Sequence, residues 1–92
     1  MKISASDQVA LWLCGLPSQT KHRVRLALRG LAEGKGDIKG LQGPLEGFNR
    51  LRIGGLRIIH RQISGNEIRL EYANTRDAVY ELYEQILENR GK

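Results

Sequence analysis

Hydrophobic residues in the first third of the chain recur at helical spacing. Val9, Trp12, Leu13 and Leu16 stand at i, i+3, i+4 and i+7, and Val24, Ala27, Leu28 and Leu31 repeat that spacing. Each set makes one apolar stripe along an α-helix. Ser6 or Asp7 is placed to cap the first helix, Gly15 and Pro17 close it, and Ser18 is placed to cap the second. Lys21, Arg23, Arg25 and Arg29 fill the rest of the second helix, with His22 among them on the surface. The natural reading is two antiparallel helices joined by a tight turn, preceded by a short strand over Lys-Ile-Ser-Ala at residues 2–5.

From Gly34 to Gly47 the periodicity stops. Gly34, Gly36, Gly40, Gly43, Pro44 and Gly47 punctuate a segment that reads as a loop. After it the period switches to two, and three strands follow: Phe48 to Ile53, Leu56 to Ile63, and Glu67 to Ala73. A last helix is expected to begin near Asn74 or Thr75, with Asp77 in its first turn and Val79, Leu82, Tyr83 and Ile86 as its apolar stripe. The predicted order is β-α-α-β-β-β-α in one domain spanning residues 1–92. That is an α+β fold, a small and mostly antiparallel sheet backed by the two N-terminal helices, with a C-terminal helix.

Gly54-Gly55, set between two alternating runs, predicts a two-residue hairpin loop. Such a loop fixes the register. Ile53 then pairs with Leu56, Arg52 with Arg57, Leu51 with Ile58, and Arg50 with Ile59. Leu51, Ile53, Leu56 and Ile58 share the face that the helices cover. Arg50, Arg52, Arg57 and Arg61 share the other with Phe48 and Ile59. Arg52 directly opposite Arg57 is a like-charge pair that costs stability in a sheet. Adjoining guanidinium groups read better as a phosphate site, since each offers a rigid fork of donors to phosphate oxygens.

At the next hairpin, a three-residue loop over Ser64-Gly65-Asn66 places Ile68, Leu70 and Tyr72 on the apolar face. It leaves Glu71 near Ile59 on the arginine face, able to balance charge or act as a base. A two-residue loop would reverse these assignments. In the last helix Arg76 and Tyr80 are four apart and lie on one face. Tyr80 stands beside the main apolar stripe, where a half-buried rim position is the plain alternative to a functional one. His60 has an ordinary pKa suited to acid–base work, but the register turns it toward the helix-covered face. Trp12 reads as core. Cys14 reads as a small core or rim residue, with no base pattern beside it.

Composition narrows the classes further. Of 92 residues, 40% are hydrophobic and 27% charged, which is too apolar for a disordered tail. Fifteen Lys and Arg against ten Asp and Glu leave a net charge of +5, which points to a polyanionic partner. A single cysteine excludes an intrachain disulfide, and CxxC clusters, HExxH and glycine-rich nucleotide fingerprints are missing. No cofactor and no metal is therefore expected. No apolar run approaches the roughly 20 residues that a bilayer needs, and no signal-peptide pattern opens the chain, so no membrane association and a cytoplasmic location are expected.

With these residues in place, the chain resembles the RelE/ParE superfamily of bacterial toxins, and within it the RelE-type messenger-RNA endonucleases. The resemblance runs from Leu-Arg-Gly-Leu-Ala-Glu-Gly through Ile-Lys-Gly-Leu-Gln-Gly to the segment Gly-Phe-Asn-Arg-Leu-Arg-Ile-Gly-Gly-Leu-Arg-Ile-Ile-His-Arg, and ends on Thr-Arg-Asp-Ala-Val-Tyr. It implies a compact α+β domain whose concave sheet face binds mRNA in the ribosomal A site. Arg50 and Arg52 fall where RelE-type enzymes place a basic pair, Arg57 on an arginine of the next strand, and Arg76 and Tyr80 on the terminal motif. The sequence departs from that pattern at Arg50 and Arg52, which stand where lysines are frequent. It departs again at Thr75, His60 and Asn74, which replace a frequent histidine or lysine, an aromatic and a glycine.

The resemblance implies a metal-independent endoribonuclease in which the RNA's own 2′-OH attacks the neighbouring phosphate. Arg50, Arg52 and Arg57 would bind and stabilise that phosphate, with Arg61 and Phe48 extending the RNA-binding face. Tyr80 would stack on a base or act as general base, and Arg76 would donate a proton or stabilise the leaving group. It also implies a cognate antitoxin, here expected to be acidic and partly disordered when free, that wraps the arginine face and the last helix. Two alternatives remain open: a ParE-like DNA gyrase inhibitor without nuclease activity, or a degenerate toxin that only binds antitoxin or RNA.

Overall fold

The computed structural model describes residues 1–75 and 78–90. A strand β1 (Lys2–Ala5) leads into helices α1 (Asp7–Cys14) and α2 (Ser18–Ala32). Strand β2 (Asp37–Gly40) and a single 3-10 turn (Gly43–Leu45) follow, then β3 (Asn49–Ile53), β4 (Leu56–Ser64), β5 (Glu67–Thr75) and helix α3 (Ala78–Arg90). One sheet of order β1-β5-β4-β3-β2 holds all five strands. β1 runs parallel to β5 and the other pairs are antiparallel. The α+β class and the strand-helix-helix opening agree with expectation.

Helix α1 starts where Ser6 accepts a hydrogen bond from the Val9 backbone N–H at 3.3 Å. The same hydroxyl donates to the Glu71 carbonyl at 2.8 Å, which ties the cap to β5. β1 ends at Ala5, opposite Leu70, and leaves the edge of β5 open beyond that point. Gln8 closes it. Its amide donates to the Ala73 carbonyl at 2.7 Å and accepts from the Ala73 N–H at 2.8 Å. A buried backbone pair thus gains the partners a further strand would have supplied. Ser18 does not cap α2; Pro17 holds that position without a side-chain bond, and its fixed φ already suits a helix start.

The Gly54-Gly55 hairpin has the expected register, from Ile53 opposite Leu56 to Arg50 opposite Ile59. Gly54 sits at φ +57°, a conformation that glycine alone adopts freely. The stretch expected to be loop contains β2, which pairs Asp37 with Arg52 and Lys39 with Arg50. All four β2 residues are exposed, and only Ile38 is apolar. Backbone pairing to β3, not side-chain burial, makes this strand, so no hydrophobic period announces it. Gly36 lets the chain reach β3 at φ +125°, where a Cβ would lie 3.1 Å from the Leu51 side chain.

The β4–β5 turn is a two-residue loop, with Ser64 opposite Glu67, and a bulge between Gln62 and Ser64 restores the phase. Ile68 and Leu70 therefore reach the α1/α2 face as expected, by a different route. A second irregularity between Ile59 and His60 pairs Ile59 with Tyr72 and not with Glu71. Tyr72 consequently packs against α3, stacked 5.6 Å from Tyr83, and not among the residues under α1 and α2. β5 also continues through Asn74 and Thr75, which were expected to open the last helix. Asp77 lies outside the described residues.

Two apolar clusters occupy the two faces of the sheet. Val9, Val24 and Leu31 of the helices meet Leu51, Ile58, Ile68, Leu70 and Ala73, with Trp12 half-buried at the edge. On the other face Leu45, Ile59, Val79 and Tyr83 form a smaller cluster, bordered by Leu41, Phe48, Tyr72, Tyr80, Ile86 and Leu87. Leu82, expected in the α3 stripe, is 38% exposed, and Leu87 completes the stripe one turn further on. α3 thus covers part of the arginine face and leaves the rest open.

Candidate active site: an arginine-lined cleft

Where α3 stops covering the sheet, a cleft of about 540 Å³ opens. β2 contributes Lys39, β3 contributes Arg50 and Arg52, β4 contributes Arg57, and α3 contributes Tyr80 and Glu84. Leu41, Gln42 and Leu45, around the 3-10 turn, complete the wall. Lys39, Arg50 and Arg52 point into it because they occupy alternate, mutually paired positions of β2 and β3. Tyr80 and Glu84 follow each other at i and i+4, one above the other on the helix.

The four cations are held differently. Arg50 is buried, with 10% of its side chain exposed, and its Nη2 meets Asp37 Oδ1 at 3.4 Å. Its Nε has no hydrogen-bond partner among the described residues. A guanidinium that is nearly desolvated and only loosely paired is expensive. An anion entering the cleft would offset that cost. Arg57 folds back on the hairpin, its Nη1 donating to the Gly54 carbonyl at 2.8 Å and the Leu56 carbonyl at 3.1 Å. Arg52, directly opposite Arg57, is exposed. The arrangement can bind a polyanion at several oxygens and stabilise added negative charge.

Arg50, Arg52, Arg57 and Tyr80 are brought together; Arg61 and Phe48 are not among them. The Arg61 guanidinium lies 5.6 Å from the Phe48 ring centroid, and its Nε meets Glu71 Oε2 at 3.2 Å. Phe48 sets its edge on Tyr83, with ring centroids 5.5 Å apart. Glu71 is held in turn by Arg69 Nε at 2.7 Å and by the Tyr83 hydroxyl, which donates at 3.2 Å. These residues fasten α3 to the sheet beside the cleft, with Glu71 balancing charge there. Burial and the Glu71 carboxylate push the Tyr83 phenol up to about 12. Arg76 lies outside the described residues.

His60 lines a separate, mainly apolar cleft of about 430 Å³ with Leu31, Ile38 and Ile68. It is 3% exposed, its Nε2 has no partner among the described residues, and burial pushes its pKa down to about 4. Cys14 is exposed and not part of the core or its rim; its neighbours in a shallow dip are Leu13, Lys21 and Arg25. α1 ends there, and its last residue turns outward. No cluster of three or more His, Cys, Asp or Glu that could hold a metal occurs among the described residues. No helix among them is long and apolar enough to cross a membrane.

Neither protein-family models nor curated proteins match the chain. Solved structures do. The RelB–RelE antitoxin–toxin complex from Methanococcus jannaschii aligns at TM-score 0.67 and 20% identity, covering 87% of this chain and 98% of that one. The toxin–antitoxin complex RelBE2 from Mycobacterium tuberculosis aligns at TM-score 0.69 and 19% identity, over 82% and 96%. The YoeB–YefM complex from Staphylococcus aureus aligns at TM-score 0.65 and 18% identity, over 83% and 97%. The chain has the RelE/ParE toxin fold.

Within this RelE/ParE fold, Lys39 and Glu84 line the cleft although neither stands among the residues expected there from the sequence. Lys39 became visible only when β2 was found paired to β3. Glu84 carried a signal, because four residues separate it from Tyr80 on one helix. Its acidic neighbours Glu81 and Glu88 give it the pattern of one more solvated charge.

Proposed function

We propose that this protein is the toxin of a toxin–antitoxin pair and cuts mRNA in the ribosomal A site without a metal. The observation that carries the proposal is Arg50, buried and under-partnered in a cleft it shares with Lys39, Arg52, Arg57 and Tyr80. RNA supplies its own nucleophile, the 2′-OH. The protein has to hold the strand in line, stabilise charge on the phosphate and manage two protons. Arg50, Arg52 and Arg57 do the first two, and Tyr80 stacks on a base beside the scissile bond. Arg76 stabilises the leaving oxygen, and Arg61 and Phe48 bind RNA beyond the cleft. The antitoxin carries an acidic segment that covers this cleft and the exposed side of α3, and the protein acts in the cytoplasm.

The test is to add purified protein to translating ribosomes and map the 5′ ends of the mRNA. Cuts within codons are expected, and Arg57→Ala or Tyr80→Ala should lower their rate about 100-fold or more. A neutralising antitoxin should abolish them, with association that slows as salt rises. Intact mRNA at stoichiometric protein sinks the proposal, and loss of gyrase supercoiling without RNA cuts replaces it with the gyrase reading.

A further inference from the structure

We infer that Glu84 is the general base of this cleft, the group that takes the proton from the attacking 2′-hydroxyl. The inference rests on the nuclease reading above. Among the described residues that line the cleft, Lys39, Arg50, Arg52 and Arg57 are cations, Tyr80 is a phenol, and Glu84 is the one carboxylate. Lysine and arginine side chains when charged donate and cannot accept a proton, and an arginine stays charged throughout. The cations can therefore stabilise the phosphate but cannot remove the proton. Tyr83 is spent on Glu71 and pushed up to about 12, and His60 lies on the opposite face of the sheet. Among the described residues, Glu84 is the carboxylate acceptor that lines the site.

Its position fits that task. Glu84 stands one helical turn beyond Tyr80 and is half-buried. A base stacked on Tyr80 would bring the neighbouring ribose along the same wall. A carboxylate in an anion site repels the phosphate and weakens binding, so a purely binding cleft would be better without it. The step balances without a co-reactant. The Glu84 carboxylate accepts the O2′ proton as O2′ bonds to phosphorus. The P–O5′ bond breaks, and O5′ leaves with the electron pair and takes a proton from water. The products are a 2′,3′-cyclic phosphate and a 5′-hydroxyl.

Glu84 also borders the outer surface of α3 with Glu81, Gln85 and Glu88, where it would be a surface charge and no more. The two roles predict opposite signs. As a general base, Glu84→Gln lowers kcat about 100-fold or more while KM on ribosome-bound mRNA stays level or falls. Glu84→Asp keeps part of the rate, and Glu84→Ala regains activity when formate is added. Glu88→Gln, outside the cleft, cuts like the parent protein. As a mere surface charge, Glu84→Gln binds RNA more tightly and cuts at least as fast, without any formate effect. That second outcome overturns the inference and leaves the nuclease reading intact, provided that Arg57→Ala is still inactive. A parent protein that makes no cuts overturns both.

Discussion

On one face of the sheet, Leu51, Ile58, Leu70 and Ala73 meet Val9, Val24 and Leu31, and every large side chain finds an apolar partner. On the other, the residues between them on the same strands divide. Ile59 and Tyr72 pack under α3, while Arg50, Arg52 and Arg57 face a cleft. Strand alternation makes the two faces inseparable in sequence. They differ in what satisfies them. The apolar side chains of the first are completed within the chain, with the buried His60 Nε2 as its exception. The second keeps a buried guanidinium whose Nε has no partner among the described residues, and a pair of arginines directly opposite each other. Each face thus keeps one buried nitrogen without a partner among the described residues. Only the second also sets like charges opposite each other at an open cleft, which is where a ligand would be expected to repair them.

The sharpest way to break this comparison is to damage the complete face. Leu51 is 1% exposed and sits at the centre of its cluster. Leu51→Ala should cost about 2–5 kcal/mol, the transfer of the lost atoms plus the cavity left behind. Urea unfolding followed by circular dichroism measures it. A loss below about 1 kcal/mol would mean that the helices do not close tightly over this face.

His60 belongs to the complete face but is polar, so it tests the same idea through pH. Its folded pKa is pushed from 6.5 down to about 4 by burial. The unfolded chain therefore takes up the proton first as pH falls. Stability drawn from a neutral His60 is present in full above 6.5 and drains as pH drops toward about 4. The loss should reach up to about 3 kcal/mol, beyond what carboxylates contribute. His60→Leu should flatten that part of the curve. Stability profiles that run parallel for the two proteins between these pH values would show that His60 takes a proton in the folded state.

These two positions also show why parts of the molecule were legible in sequence. The hairpin register followed from Gly54-Gly55 alone, and it turned His60 to the helix side and gathered Arg50, Arg52 and Arg57. Short-range turn chemistry fixed those neighbours. β2 was not legible, because Asp-Ile-Lys-Gly has no period and depends on an edge that β3 offers from elsewhere. Tyr72 was misplaced for a related reason. A bulge at Ile59/His60 shifts the phase by one residue, and nothing in the residue types there requires it. α3 was expected as a helix, but which part of the arginine face it covers depends on Tyr83 reaching Glu71 and Phe48. The cleft is what remains after that docking, so its edge, and Glu84 on it, came only with the structure.

The smallest effect carries the opposite sign. Arg52 and Arg57 are direct cross-strand partners, and like charges there repel. Arg52 is exposed, so its removal leaves no cavity, and threonine favours an exposed strand position. Arg52→Thr should therefore raise stability by about 0.2–1 kcal/mol, where a core substitution lowers it. Screening should shrink the gain as salt is added, since the repulsion acts across solvent. Cutting of mRNA should fall in the same variant, because the repulsion it relieves is the positive field that holds the phosphate. Matched urea curves at low and high salt, read beside the cleavage rate, separate the two. A variant that loses stability, or gains it without losing activity, would mean that the arginine pair does not trade stability for ligand binding.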